Sequence, residues 1–378
     1  MKPVVIAGYK RSPFHFSHKG QLVKKRPDDM AADVVRGLIE SSGVDPAGIE
    51  DLIMGCAFPE GEQGFNVARI VGLLADLPIS VAGVTVNRFC GSSMQSIHIA
   101  AGAIQMNAGD AFICAGVESM SRVPMGGYNP MPNADLYERN DGAYMAMGET
   151  AENLAQKYQI PREEQEALAV SSHAKATAAR EEGRLAGEIV AIDCDGETID
   201  QDGCIRPGTN AAALANLEPA FDAEGTVTAG TSSPLTDGAS AVLVCTEDYA
   251  AANGLEVSAK IKSVAVAGCQ PEIMGYGPVV STAKALERAG IRMADVDVIE
   301  LNEAFAVQAL ACVRELAFDL DKMNLDGGAI ALGHPLGATG ARIAGKAAQL
   351  LQREDKQYAL ATQCIGGGQG ISTVLEAA

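Results

Sequence analysis

The sequence predicts a duplicated α/β protein whose first half carries a long inserted segment. Three observations predict it. Short apolar runs alternate with helical patterns, the second part of the chain repeats that alternation, and composition changes abruptly between residues 118 and 236.

In the first part, Val4–Ala7, Leu52–Gly55, Val81–Val86 and Ala111–Ala115 read as strands, while Asp29–Ser42, Asn66–Leu77 and Ser92–Met106 carry helical spacing. Strands separated by helices mean crossover units and a buried, largely parallel sheet. In the second part Lys260–Ala267, Val296–Leu301, Tyr358–Thr362 and Ile371–Leu375 read as strands, and Val280–Ala289, Phe305–Leu316 and Ala338–Leu351 as helices. Gly43–Asp51 aligns with Gly290–Val298, and the same offset carries Ala111–Ala115 onto Tyr358–Thr362. Inserted in the first half lie a Pro-, Met- and Gly-rich stretch (Pro124–Asn133), helical sequence over Glu149–Glu182 and polar loop-like sequence. Ser240–Cys245 then supplies a last strand of the first half, matching Ile371–Leu375. The expected organisation is residues 1–117 plus 237–253 as one half, 118–236 as an inserted loop domain serving as a substrate lid, and 254–378 as the other half.

Composition narrows the function classes. A 378-residue chain with 47% hydrophobic and 20% charged residues is globular. It has no apolar run of the roughly 18 residues that a membrane span needs, and the strand at Val4 leaves no room for a leader. A formal charge of −19 argues against nucleic acid and anionic membranes as partners. Nine cysteines without a C-x-x-C pair fit neither a disulfide framework nor a metal site and point to a reducing compartment, the cytoplasm.

The chemistry concentrates in four segments at strand ends or helix starts. Cys90, in Asn87-Arg88-Phe89-Cys90-Gly91-Ser92, precedes a helix whose N-terminus favours thiolate. Cys364 sits in Gln363-Cys364-Ile365-Gly366-Gly367-Gly368. Asn302-Glu303-Ala304-Phe305 follows a strand, and Gly333-His334-Pro335-Leu336-Gly337 precedes a helix. His15, His18 and His173 read as surface residues and His98 as helix packing, which leaves His334 as the reactive imidazole. A thiol, an imidazole, a carboxamide and a second thiol suggest covalent acyl transfer in which the second thiol moves a proton on carbon. A simple hydrolase has no need of that thiol.

These four segments, in this order and spacing, resemble the signature blocks of the thiolases, acyl-CoA C-acetyltransferases, and the resemblance runs from Val4 to Leu375. It implies a five-layered α-β-α-β-α fold and an obligate dimer, alone or as a dimer of dimers. It implies Cys90 as nucleophile, His334 as its base, Cys364 as acid and base on carbon, and two oxyanion holes, one from His334 with a water held by Asn302, one from the N–H groups of Cys90 and Gly366. Coenzyme A is then a substrate and no cofactor is permanently bound. Ser233 is placed near the pantetheine, with Met147 and Met274 lining the channel. Glu62–Asn66, Thr228–Ser233 and Ile273–Pro278 look more like the degradative 3-ketoacyl-CoA thiolases than the short-chain biosynthetic ones. A hydratase/dehydrogenase partner subunit is a possibility that this subtype opens.

Three departures stand out. Glu218 occupies a position before Pro219-Ala220-Phe221 where many relatives are basic, which puts that contact to the CoA nucleotide in doubt. Ala146 replaces the His that short-chain enzymes often place before Met147-Gly148, and Asp326 stands where Asn is common. The competing readings are a short-chain acetyl-CoA acetyltransferase, a decarboxylating 3-ketoacyl synthase and a silent acyl-CoA or lipid carrier. Cys364 in its glycine setting argues against the synthase, and the complete set of reactive positions argues against the carrier.

Overall fold

Cutting the chain at its repeats gives two sheets of matching strand order. The computed structural model describes residues 2–378. The first half contributes β1 (Val4–Arg11), β2 (Asp51–Gly55), β3 (Ala82–Val86), β4 (Ala111–Ser119) and β5 (Thr236–Thr246), the second β6 (Ala259–Gly268), β7 (Val298–Leu301), β8 (Tyr358–Ile365) and β9 (Gln369–Glu376). The first runs β3-β2-β4-β5-β1 and the second β7-β8-β9-β6, where a single parallel bridge, Ile299 to Met323, stands at the place of β3. The two are joined edge to edge by Val5 opposite Lys260 and Ile6 opposite Ala259.

The repeated segments explain themselves locally. Gly43 and Gly290 end α1 (Pro27–Ser42) and α6 (Gly277–Ala289) with φ of 70° and 69°, a left-handed turn that glycine adopts without a Cβ penalty. Each is followed by a one-turn 3₁₀ segment, Pro46–Gly48 or Met293–Asp295, and then by β2 or β7. Pro27 and Pro278 open the same two helices, where a missing N–H costs nothing.

Side-chain parity sorts the strands into five layers. Val5, Ala7, Ala241 and Leu243 face α1 and α2 (Val67–Leu74), whereas Val4, Ile6, Val242 and Val244 face a central layer made of α3 (Ser92–Gln105) and α8 (Leu336–Arg353). Ala359 and Ala361 of β8 meet that central layer from the other side, and Leu360 and Cys364 face α6 and α7 (Ala306–Leu316). The order is helix, sheet, helix, sheet, helix.

Several sequence-based expectations change. The sheet is mixed: β2/β3, β2/β4 and β7/β8 are parallel, while β4/β5, β5/β1, β8/β9 and β9/β6 are antiparallel. β2 and β3 are joined through α2, and β7 and β8 through α7 and α8, as parallel neighbours must be, whereas β8 and β9 are joined by a tight glycine turn that reverses the chain. The helical stretch of the insertion is two helices, α4 (Met147–Tyr158) and α5 (Arg162–Glu181), because Gln159 turns left-handed at φ 50° and Pro161 cannot continue a hydrogen-bonded helix. His15 and His173 are buried rather than superficial, the first bonded to Gln201 O at 2.9 Å and the second accepting from Arg206 N at 3.2 Å.

The central layer is held close by glycine. A Cβ on Gly340 of α8 would lie 2.2 Å from the Met94 backbone nitrogen of α3, so the two helices touch backbone to backbone. In an exposed helix Gly→Ala gains roughly 0.5–1 kcal/mol. Gly340→Ala should instead destabilise by about 1–3 kcal/mol through overpacking, read from denaturant unfolding. A neutral or stabilising result would show that the helices can part at no cost.

Candidate active site

Cys90, His334, Cys364, Met147, Met274 and Ser233 all line one cleft of about 240 Å³ with predominantly apolar walls. Asn302 stands behind His334 and touches it, and the backbone N–H of Gly366 lies near the Cys90 sulfur and favours its charged form. All the residues singled out by the sequence therefore meet.

Cys90 sits in a one-turn 3₁₀ segment, Phe89–Gly91, between β3 and α3. Phe89 holds φ at 42°, a left-handed conformation that a bulky residue rarely adopts. Side chains fix the turn on every side. Asn87 Oδ1 accepts from Phe89 N at 2.8 Å, Ser92 Oγ accepts from Arg88 N at 2.8 Å and donates to Phe89 O at 2.6 Å. Gln363, next to Cys364, donates its side-chain amide to the Cys90 carbonyl and ties the two cysteine segments together. Burial pushes the Cys90 thiol up to about 11, although the nearby backbone N–H groups of Gly366 and of Cys90 itself oppose the shift. At rest the group is a thiol.

His334 precedes α8 as Cys90 precedes α3. Gly333 before it has φ 103°, and a Cβ there would lie 2.7 Å from the Thr236 side chain, whose Oγ1 accepts from His334 N at 3.0 Å. Thr339 Oγ1 donates to Pro335 O at 3.0 Å, so toward the imidazole it accepts, and His334 Nδ1 donates to it at 2.6 Å. This assigns the proton to Nδ1 and the lone pair to Nε2, where Asn302 Nδ2 donates at 3.3 Å. Burial, and secondarily Arg342, lowers the imidazole pKa to about 3, so it is neutral and free to accept a proton. Asn302 Oδ1 is buried and has no partner among the described residues.

Cys364 lies near the end of β8, opposite Gly370 of β9. Its thiol is pushed well above the usual range, first by burial and then by Cys90. Behind the cleft, the buried carboxylate of Glu118 collects N–H donors from both halves: Ala57 at 2.8 Å, Phe58 at 3.3 Å and the Gln63 amide at 2.9 Å from the first, Gly337 at 2.9 Å from the start of α8. One acceptor thus holds the helix that carries His334 against the half that carries Cys90. Its negative charge also disfavours the Cys90 thiolate.

Comparison with known proteins agrees with this geometry. Residues 4–248 match the thiolase N-terminal domain and residues 255–377 the thiolase C-terminal domain. The chain belongs to the thiolase family. A 3-ketoacyl-CoA thiolase of Vibrio cholerae is 51% identical and one of Bacillus subtilis 45% identical, each with the whole of both chains covered. The human mitochondrial 3-ketoacyl-CoA thiolase superposes with a TM-score of 0.92 at 35% identity, covering 100% of this chain and 99% of the human one, and a second structure of that enzyme holds CoA with the same score.

Sequence reasoning missed several residues of this thiolase site. Phe221 and Phe305 face each other edge to face at 5.8 Å in the cleft wall, beside Leu235 and Leu336. Glu118 lies outside the motifs that drew attention, although a carboxylate ending an unbroken apolar strand was a signal, and Thr339 lies inside the His334 segment without its role having been read from it.

With a thiol and a neutral imidazole at rest, alkylation of Cys90 by iodoacetamide should follow an ionisation near 11 rather than plateau at neutral pH. A plateau below roughly pH 8, under the ordinary Cys value, would show a resting imidazolium–thiolate pair instead. The raised thiol pKa stabilises the fold below about 9, the unfolded value, and that contribution is lost as pH rises through about 11.

Proposed function

We propose that this thiolase is a degradative acetyl-CoA C-acyltransferase, cleaving 3-ketoacyl-CoA with CoA to acetyl-CoA and a shortened acyl-CoA in the breakdown of fatty acids. The observation that carries the reading is the convergence of Cys90, His334 and Cys364 on one apolar cleft with amide donors beside them. Full-length likeness to 3-ketoacyl-CoA thiolases supports it, and so does Ala146, which does not offer the imidazole of a short-chain specialist.

The Cys90 proton passes to His334 Nε2 as the sulfur attacks the 3-keto carbon. The oxyanion is met by His334, now a donor, and by a water bonded to Asn302, whose free Oδ1 suits that task. The bond between C2 and C3 breaks and leaves an acyl group on Cys90 and a carbanion on acetyl-CoA, which takes the Cys364 proton. The thiol of a second CoA then gives its proton to the Cys364 thiolate and attacks the acyl-Cys90 carbonyl, with the N–H groups of Cys90 and Gly366 on the oxygen. Acyl-CoA leaves, and the departing Cys90 sulfur recovers its proton from His334. Every proton has returned to its starting group.

CoA is a substrate in this reading and no cofactor stays bound. Ser233, Met147 and Met274 are the proposed contacts along the pantetheine and acyl path, and residues 118–236 the proposed lid. Nine free thiols support work in the cytoplasm. A homodimer, alone or paired into a tetramer, is proposed through the outer edge of β3. That edge has no neighbour among the described residues and lies among exposed Val84, Leu73, Leu74 and Phe65, the last 93% exposed. A hydratase/dehydrogenase partner subunit belongs to the same reading.

Cys90→Ser should abolish the acyl-enzyme, whereas Cys364→Ser should still acylate from acyl-CoA yet lose Claisen condensation by at least about 10²-fold, measured by mass spectrometry and thiolysis kinetics. Turnover by the Cys90 variant would overturn the assignment. Rates on 3-ketoacyl-CoA substrates from short to long then separate the degradative enzyme from the acetoacetyl-CoA specialist. For the assembly, Val84→Lys with Phe65→Asp should convert a dimer to monomer in light scattering; a wild-type monomer at micromolar concentration would sink the interface.

A further inference from the structure

A buried ion pair lies directly beneath the base. Arg342 Nη1 donates to Glu300 Oε2 at 2.8 Å, with side-chain exposures of 1% and 0%. Glu300 lies on β7 two residues before Asn302, which follows the strand's last residue, and Arg342 follows Thr339 by one turn of α8. The pair therefore spans from the strand that delivers Asn302 to the helix whose first turn orients His334. The same two elements meet again in the contact of Asn302 Nδ2 with His334 Nε2 at 3.3 Å.

The pair is only half satisfied, unlike its surroundings. The neighbouring network is saturated: Lys346 bridges Glu188 and Asp326, Arg11 bridges Glu188 and Asp202, and Asp326 also holds Arg353. By contrast Glu300 Oε1, Arg342 Nε and Nη2, and the adjoining Tyr9 hydroxyl are all buried without a partner among the described residues. A half-satisfied buried pair is a poor source of stability, so its retention calls for another reason. Burial holds the Glu300 carboxyl up at about 7; Arg342 and Lys346 favour its charged form, Asp326 and Glu188 oppose it. On the cleft side His334 has only Cys90, Cys364 and, further back, Glu118 as titratable neighbours, so Arg342 is the cation that it feels.

We propose that Arg342 and Glu300 are positioning residues for the base: the pair fixes the height of Asn302 against His334, and Glu300 offsets the Arg342 charge that the imidazole faces. The inference rests on the reading of His334 as the base of Cys90. Removing Glu300 leaves an uncompensated cation beside the imidazole and weakens the base. Removing Arg342 takes the cation away and strengthens it, while Glu300 takes up a proton. The two losses thus act on the base in opposite directions, which a purely structural strut would not do.

The test uses the full-length enzyme with Glu300→Gln, Arg342→Met and the double variant, each confirmed folded by near-ultraviolet circular dichroism. Cys90 alkylation by iodoacetamide at neutral pH should slow about threefold or more in Glu300→Gln and quicken by a similar factor in Arg342→Met. In both, kcat should fall about tenfold with KM within about twofold, as expected when ground-state binding is spared. If either single variant fails to fold, the double variant, which leaves no unpaired charge, decides: faster alkylation and lower kcat than wild type are expected. Wild-type alkylation and kcat in the folded variants, or shifts of the same sign in both singles, overturn the proposal. Loss of turnover in Cys90→Ser alongside unaffected pair variants would reject the positioning role alone, whereas turnover in Cys90→Ser would reject the reading beneath it.

Discussion

The contact of α3 with α8 governs this molecule. Both helices lie between the two sheets, and Gly340 lets the backbone of α8 rest on Met94 of α3. Each helix occupies the place after the third strand of its own half, β3 in one and the Met323 bridge in the other. Cys90 and His334 stand at corresponding points before these two helices. Bringing the helices together therefore brings nucleophile and base together, and each half supplies one of them.

Neutrality is the second theme. Both thiols and the imidazole are uncharged at rest because burial penalises every charged form in the cleft. The site stores no ion pair of its own; charge is created only when a proton leaves Cys90, next to groups aimed at the charges that then develop. Charged and ionisable groups are kept one layer away, in Glu118 beneath the turn that holds the cysteine and in the Arg342–Glu300 pair beneath the imidazole. An apolar reaction chamber with a charged floor lets distant residues adjust proton affinity without blocking the substrate.

Much of this was legible before any coordinates. The duplication was carried by segments whose physics is local: Gly43 and Gly290 as left-handed helix ends, Pro46 opening a turn, an apolar strand after it. Cys90, His334, Cys364 and Asn302 were visible because reactive side chains flanked by glycine or by helix starts are chemically unusual. What stayed hidden depends on contacts between distant segments. Strand direction depends on which strands become neighbours across the sheet, so the mixed sheet escaped a reading that saw only alternation: β4 and β5 lie side by side and antiparallel although the whole insertion separates them. His15 and His173 looked superficial because only tertiary packing buries them. Glu118 gathers donors from residues as far apart as Ala57 and Gly337, and no local pattern announces such a meeting.

The two halves differ most at their outer edges. The first ends in a full strand, β3, with an open row of backbone groups; in the second that place shrinks to one bridge at Met323. Had the duplication kept both edges intact, each chain would offer two adhesive borders, and copies could stack without limit into filaments. With one border shortened, β3 is left as the full-length open edge, and the dimer proposed through it would close at two. In that reading the strand missing from the second half sets a ceiling on growth and separates a countable enzyme from a fibre.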